Sequence, residues 1–303
     1  MTKYLALKID MDTHRGTRVG APMLAKILQQ RHIPATWLWS LGPDTTGRAI
    51  FRILRPGFLQ KVSRTSVVSV YGVRTLLNGT LFPAPHIGKR NTHIIRALDI
   101  PLFEHGIHCW DHTKWQDHMY KWDNARTVHA LQQAQDMFTT IFGRPAVCAG
   151  APGWQVRPHS LYAYDTIGIK YASDTRAINN TCANAQPFYP QMGEQDFNAL
   201  QIPSTLPTLD ELTGRVHYPI NSLHGQYLHW IQDGYNVMTI HGEIEGMAYL
   251  KWFTQFIDAC IAQDIQFIPL GHIYTATKSL KNPPFRREIT LQPIDGRSGT
   301  LGV

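Results

Sequence analysis

A chain of 303 residues with 43% hydrophobic content can bury one large core or two ordinary ones. It has no run of about 18 apolar residues, which excludes a transmembrane helix, and no apolar leader with a small-residue cleavage site. Its formal charge of +7 comes from one segment: between Thr45 and Leu98 there are nine basic residues and no acid, a pattern that suits an anionic partner.

Tyr4 to Ile9 reads as a buried first strand, with Asp10 and Asp12 at its C-terminal end. Helical periodicity runs from Gly20 to Arg31, with Pro22 in the first turn. Ala35 to Ser40 is a second strand, so the chain opens as a βαβ unit and predicts a parallel sheet. The basic segment then interrupts the rhythm as an inserted amphipathic element. Arg48, Arg52, Arg55 and Lys61 interleave with Ile50, Phe51, Ile53, Leu54, Phe58, Leu59 and Val62. Cations among apolar residues suit a membrane surface with anionic head groups; a helical hairpin packed on the domain is the other reading. No nucleic-acid-binding motif is present.

The stretch from Glu104 to Trp115 holds three histidines, two carboxylates and two tryptophans. His108 and His112 are four apart, which on a helical turn aims both rings at one metal ion. A catalytic divalent metal usually takes three protein ligands, and Asp10 or Asp12 is the candidate third. Beyond it, a helix is expected from Asn124 to Phe142, a short strand at Ala146 to Ala149, and the turn Gly150-Ala151-Pro152-Gly153-Trp154. A helix from Pro158 to Ile167 precedes a strand at Lys170 to Ser173 that ends at Asp174. Helices at Leu223 to Gln232 and Tyr249 to Gln263 flank a strand at Asn236 to Ile240, with His241 at its end. A last strand covers Gln266 to Ile268, a last helix Ile273 to Ser279, and a turn-rich tail begins at Lys281. Seven or eight βα units in residues 1–280 fit a barrel of parallel strands better than an open sheet. Asp10, Asp12, His108, Asp174 and His241 all fall at strand C-terminal ends, the face that carries the active site in such barrels. The cysteines Cys109, Cys148, Cys182 and Cys260 show no C-x-x-C and read as free thiols of a reducing compartment, by default the cytoplasm.

Taken in order, the D-x-D after the first strand, the E-x-G-x-H-x-x-x-H-like run, the A-P-G turn, the Asp after a strand and Ile240-His241 resemble the motifs of the polysaccharide deacetylase family. That resemblance implies a distorted (β/α) barrel that removes acyl groups from sugars with one divalent metal: zinc, manganese, cobalt or nickel. It makes Asp12, His108 and His112 the metal ligands, Asp10 the general base and His241 the general acid. Longer runs, Lys8 to Thr13, Ser173 to Arg176, Ile202 to Glu211 and His241 to Gly246, look like the branch of the family that deformylates a formamido-arabinose carried on undecaprenyl phosphate. This implies a substrate on the cytoplasmic leaflet of a bacterial inner membrane, a peripheral enzyme there, and a part in lipid A modification and polymyxin resistance. The alternatives are an N-deacetylase of another amino sugar and an inactive lipid-sugar binding protein. The sequence departs from the family at Gly150, where deacetylases carry an arginine that steadies the base; Arg176 or Arg15 is the candidate substitute.

Other residues complete the expected site. Asp174 orients His241 or a ligand histidine, and Arg176 meets a substrate phosphate or sugar, or serves a structural ion pair. Trp110 and Trp154 wall a sugar pocket or pack in the core. Gly153 or Trp154 offers a backbone N–H to a developing oxyanion. Glu243 lies near the acid without an assigned role.

Overall fold

The computed structural model describes residues 2–49, 71–177, 185–281, 284–297 and 299–303. The strands in chain order are β1 (Lys3–Met11), β2 (Ala35–Ser40), β3 (Phe103–Cys109), β4 (Cys148–Ala149), β5 (Tyr171–Ala172), β6 (Tyr189–Met192), β7 (Gln195–Asp196), β8 (Leu200–Gln201), β9 (Gly234–His241), β10 (Gln266–Ile268), β11 (Arg286–Glu288), β12 (Leu291–Pro293) and β13 (Thr300–Gly302). Eight of them form one parallel sheet around β1. β9 pairs along one edge of β1, from Lys3 with Gly234 to Asp10 with His241. The other edge is shared: β10 pairs at Tyr4 to Ala6, and β2 at Lys8 to Met11. From β2 the sheet continues through β3, β4 and β5 to β8. Just past β8, Thr205 and Leu206 donate backbone N–H groups to the Val237 carbonyl of β9, at 3.0 and 3.1 Å. Val237 N–H returns to Thr205 Oγ1 at 2.9 Å. These bonds close the sheet into the distorted barrel expected from the βα rhythm.

Side chains on β1 alternate between two environments, as the period of a strand requires. Leu5, Leu7, Ile9 and Met11 belong to the large core between sheet and helices. Ala6 joins the inner cluster with Leu38, Cys148, Tyr171, Leu200, Val237 and Ile268, one residue each from β2, β4, β5, β8, β9 and β10. The inward positions of β1 therefore read Ala6, Lys8, Asp10, rising from an apolar plug towards the C-terminal mouth. Burial on both faces explains why the strand reads as a nearly continuous apolar run.

The outer layer includes helices Ala21–Gln30, Asn124–Phe142, Pro158–Ile167 and Leu250–Ala262. The long one is capped by the Asp123 carboxylate, which accepts the Arg126 N–H at 2.8 Å, and ends where Gly143 takes φ 69. That left-handed turn suits glycine and stops the helix.

One expectation is corrected, and the tail finds its place. The basic stretch is not wholly an insertion: Ile87–Ala97 is the crossover helix between β2 and β3. Asn91 on it donates to the Ile87 carbonyl and lies 2.9 Å from His14 Nδ1, while Arg96 donates to the carbonyls of Thr140 and Ile141. Apolar residues at 87, 94 and 95 give this helix one face to bury, so the βα rhythm persists through the cations. Arg48 is exposed and donates to the Gly79 carbonyl at 3.2 Å, whereas Arg52, Arg55 and Lys61 lie outside the described residues. The tail from Lys281 is tied to the body. β11 pairs with β6, β12 pairs with β13, and the Gly302 carbonyl accepts the Arg176 N–H at 2.9 Å.

Candidate active site

Asp12, His108 and His112 converge at the C-terminal mouth, each offering a ligand atom within 4.8 Å of the others. Asp12 Oδ1 is 3.2 Å from His108 Nε2, and Asp12 Oδ2 is 3.4 Å from His112 Nε2. The two histidines do not share a helical turn. His108 belongs to β3, while His112 is the first residue of helix His112–His118, whose N-cap is Asp111. Asp111 Oδ1 accepts the Lys114 N–H at 3.0 Å and the Thr45 hydroxyl at 2.7 Å. The capping residue between the histidines bends the chain, and the two rings still meet with centroids 5.3 Å apart.

The donor set fits a cation. His108 Nδ1 lies 2.5 Å from the Gly150 carbonyl, which can only accept, so the ring donates there. In the neutral tautomer Nε2 is then a lone pair aimed at Asp12 Oδ1, which has no hydrogen-bond partner. Two acceptors 3.2 Å apart repel unless a proton or a metal lies between them. Without a metal, charge answers: burial opposes ionisation of Asp12, yet His112 and His108 hold its carboxyl far below the usual range. Burial likewise opposes a charged His108, and Asp10 and Asp12 raise its pKa nonetheless.

The turn after β4 sets the His108 ring. Asp174 Oδ1 accepts the Ala151 N–H at 2.5 Å, and the adjacent Gly150 carbonyl meets His108. Asp174 thus acts on His108 through two backbone groups rather than by direct contact, an arrangement of the kind that metal-binding histidines usually have. Burial raises its own carboxyl, against the Ala151 N–H and the Lys8 charge.

Asp10 and His241 are register partners on neighbouring strands, so both stand at the mouth. Asp10 is buried; its Oδ1 has no hydrogen-bond partner and lies 3.9 Å from His108 Nδ1. His241 N–H donates to Glu245 Oε2 at 2.7 Å, and His241 Nδ1 is buried without a partner. Glu243 receives the backbone N–H and hydroxyl of Thr13, the residue after Asp12. A side chain at Gly16 would collide with Glu243. Glu243 therefore locks the loop after β1 against the loop after β9, and burial, reinforced by Asp12, pushes it up to about 8.

Two open alternatives narrow, for Arg176 and Trp154, and one expectation, the Trp154 N–H, changes. Arg176 is buried and pairs bidentately with Glu211, at 2.6 and 3.2 Å, rather than presenting itself to a substrate. Trp154 is 2% exposed, so it offers no open face for stacking a sugar. Its ring is covered by Arg176, Arg297 and Lys8, at 4.6, 4.8 and 5.0 Å, and its Nε1 donates to Ser204 Oγ. The Trp154 backbone N–H is spent on the Ala151 carbonyl. Trp110 is half-buried beside His86, at 5.1 Å between ring centroids, and its carbonyl accepts the Gly42 N–H. His105 is structural: it accepts from Trp39 Nε1, faces the Leu98 carbonyl, and burial lowers its pKa to about 4.

The residue that the sequence reading passed over is Lys8. Its Nζ is 3.6 Å from Asp10 Oδ2 and donates to the Ser173 carbonyl at 3.0 Å. Neither candidate substitute for the missing arginine holds that place: Arg176 is on Glu211, and the Arg15 guanidinium lies against Gly72. The available signal was alternation, since a lysine two residues before Asp10 in an otherwise apolar strand shares its inward face.

No protein-family model matches the chain. The chain is 37% identical over 298 residues to a Shewanella sediminis protein named a probable 4-deoxy-4-formamido-L-arabinose-phosphoundecaprenol deformylase, ArnD, covering 98% of this chain and 93% of that one. A protein of Wigglesworthia glossinidia brevipalpis with the same name is 31% identical over 289 residues, 94% of this chain and 97% of that one. Among solved structures, a Mycobacterium smegmatis protein described as a polysaccharide deacetylase superposes with TM-score 0.62 at 16% identity, over 97% of this chain and 96% of that one, a likeness of fold. With an Asp–His–His cluster at the mouth of a barrel of that kind, this chain belongs to the 4-deoxy-4-formamido-L-arabinose-phosphoundecaprenol deformylase family, enzymes that hydrolyse an amide.

Proposed function

We propose that the chain removes the formyl group from 4-deoxy-4-formamido-L-arabinose linked to undecaprenyl phosphate, releasing formate and the amino sugar lipid. The observation that carries this reading is the convergence of Asp12, His108 and His112 beside Asp10 and His241. The three ligands would hold one divalent ion, which when bound supplies a Lewis acid for the formyl oxygen and for water; two histidines and a carboxylate suit zinc, manganese, cobalt or nickel. Asp10 takes a proton from the attacking water through Oδ1, the oxygen without a hydrogen-bond partner. As the carbon–nitrogen bond breaks, His241 gives a proton to the departing amine, because an amide nitrogen leaves poorly as an anion. Thr13 and Glu243 fix the Asp12 loop, and Asp174 fixes the turn that sets His108.

A lipid-linked substrate requires the protein to work at a membrane. Among the described residues no helix is long and apolar enough to cross one. Exposed Val73, Leu81 and Phe82 stand in the same basic segment as Arg48, Arg74, Lys89 and Arg90, a mixture suited to an anionic surface. This supports peripheral attachment to an anionic membrane surface; the resemblance to the deformylases supports taking that surface as the cytoplasmic face of a bacterial inner membrane, in lipid A modification and polymyxin resistance. The test is mass spectrometry of a formamido-arabinosyl polyprenyl phosphate and its acetamido counterpart after incubation with metal-loaded protein. Formate and free amine from the formamido lipid are expected. Equal cleavage of the acetamido lipid would favour a general N-deacetylase, and no cleavage of either would favour a binding protein.

A further inference from the structure

We propose that Lys8 is the positioning residue for Asp10, holding one carboxylate oxygen so that the other stays open to the reacting water, in a slot that Gly150 leaves free. The proposal rests on the reading of Asp10 as the base.

Lysine is almost never fully buried unless paired, and Lys8 is 0% exposed in the centre of β1. Its charge is met by the Ser173 carbonyl at 3.0 Å, by Asp10 Oδ2 at 3.6 Å and by the Trp154 ring at 5.0 Å. Ser173 and Trp154 hold the ammonium at two further points. Lys8 thereby engages Asp10 at Oδ2, while Oδ1, 3.9 Å from His108 Nδ1, keeps no hydrogen-bond partner. The slot has room for one side chain. A Cβ at Gly150 would lie 3.1 Å from Lys8 Cε and 3.4 Å from Lys8 Nζ, and would press on Leu38 Cδ1. A cation reaching Asp10 from the turn after β4 and a cation rising from β1 would occupy the same space, and this chain fills it from β1. Stability is a weak reason to keep such a pair, because well-packed apolar residues of similar volume often serve a fold as well as a buried ion pair. Removing the ammonium would free the Asp10 carboxylate to turn and would leave its charge facing less compensation.

The experiment uses metal-loaded protein and a short-prenyl analogue of the formamido-arabinosyl phosphate. Lys8→Met, Lys8→Ala, Asp10→Asn, the double variant Lys8→Met/Asp10→Asn, and the relocation variant Lys8→Ala/Gly150→Lys are compared for metal content, melting temperature, kcat and KM. Lys8→Met should retain metal and hold KM within about threefold while kcat falls by about 100-fold or more. The double variant should be no slower than Asp10→Asn, because Lys8 acts through Asp10. The relocation variant should exceed Lys8→Ala in kcat by about tenfold. Parental kcat in metal-loaded Lys8→Met would overturn the proposal, as would a lower melting temperature with kcat unchanged. Turnover by Asp10→Asn at the parental rate would instead remove the base reading, and Lys8's role with it. Inactive Asp10→Asn beside active Lys8→Met removes the Lys8 proposal alone. If Lys8→Met does not fold, the relocation variant decides: folded, metal-loaded protein no faster than Lys8→Ala would overturn it.

Discussion

Glu245 gives a prediction whose size follows from the structure. It is fully buried four residues after His241; Oε2 accepts the His241 N–H and Oε1 has no hydrogen-bond partner. Burial pushes its carboxyl from 4.5 up to about 8, against the pull of the backbone N–H groups. Between those values the folded protein keeps a proton that the unfolded chain has released. The folded state then binds more protons, so stability falls as pH rises. The contribution is fully present below the unfolded value and is gone once pH passes the folded one. At 1.36 kcal/mol per unit, the shift corresponds to at most roughly 5 kcal/mol. Glutamine has the shape of the protonated acid and does not titrate. In Glu245→Gln the stability gap over the parent should widen by up to that amount between about pH 5 and about pH 9. Urea denaturation in chelator, which keeps the metal site in one state, measures it. Glu243, also pushed up to about 8, leaves some pH dependence in the variant. Identical pH profiles in parent and variant would refute the reasoning, because they would show that Glu245 is ionised at neutral pH in the folded state.

Asp174→Ala removes the acceptor that holds Ala151; metal affinity, measured by competition with a chelating dye, should weaken by about 10- to 100-fold while one site per chain remains. Unchanged affinity would show that the turn sets His108 unaided. Trp110→Ala should raise kcat/KM for the acetamido lipid relative to the formamido lipid, since a packed wall resists an added methyl group; constant selectivity would place the discrimination elsewhere. Replacing Arg48, Arg52 and Arg55 by Gln should release the protein from anionic vesicles, at about 1 kcal/mol per charge near the surface, and spare activity on a short soluble substrate. Vesicle binding that ignores these charges would assign them to another partner.

The barrel was legible because β1, β2 and the helices Asn124–Phe142 and Pro158–Ile167 carry local signals: apolar runs, an Asp cap and a proline in the first turn. The Asp–His–His cluster was legible from spacing, although the reason differed. Three residues join His108 to His112 across a strand end and a helix start, and Asp111 makes the bend. Three things escaped local reading because their partners are far apart in sequence. Lys8 meets Ser173 165 residues away. Arg297 reaches Glu211 across 86 residues and covers Trp154, which turns an expected sugar wall into core. Arg176 finds Glu211, so a side chain read as meeting substrate or serving an ion pair is spent in a buried pair. The helix Ile87–Ala97 was hidden by its charge, which marked the segment as foreign while its apolar face belonged to the barrel.

Metal content and turnover, read together in four proteins, test the central claim most directly. The parent should bind one divalent ion per chain and release formate from the formamido-arabinosyl lipid. His108→Ala and His112→Ala should lose both the ion and turnover, while Asp10→Asn should keep the ion and lose turnover. Full metal occupancy in either histidine variant, or parental turnover by Asp10→Asn, would contradict the account.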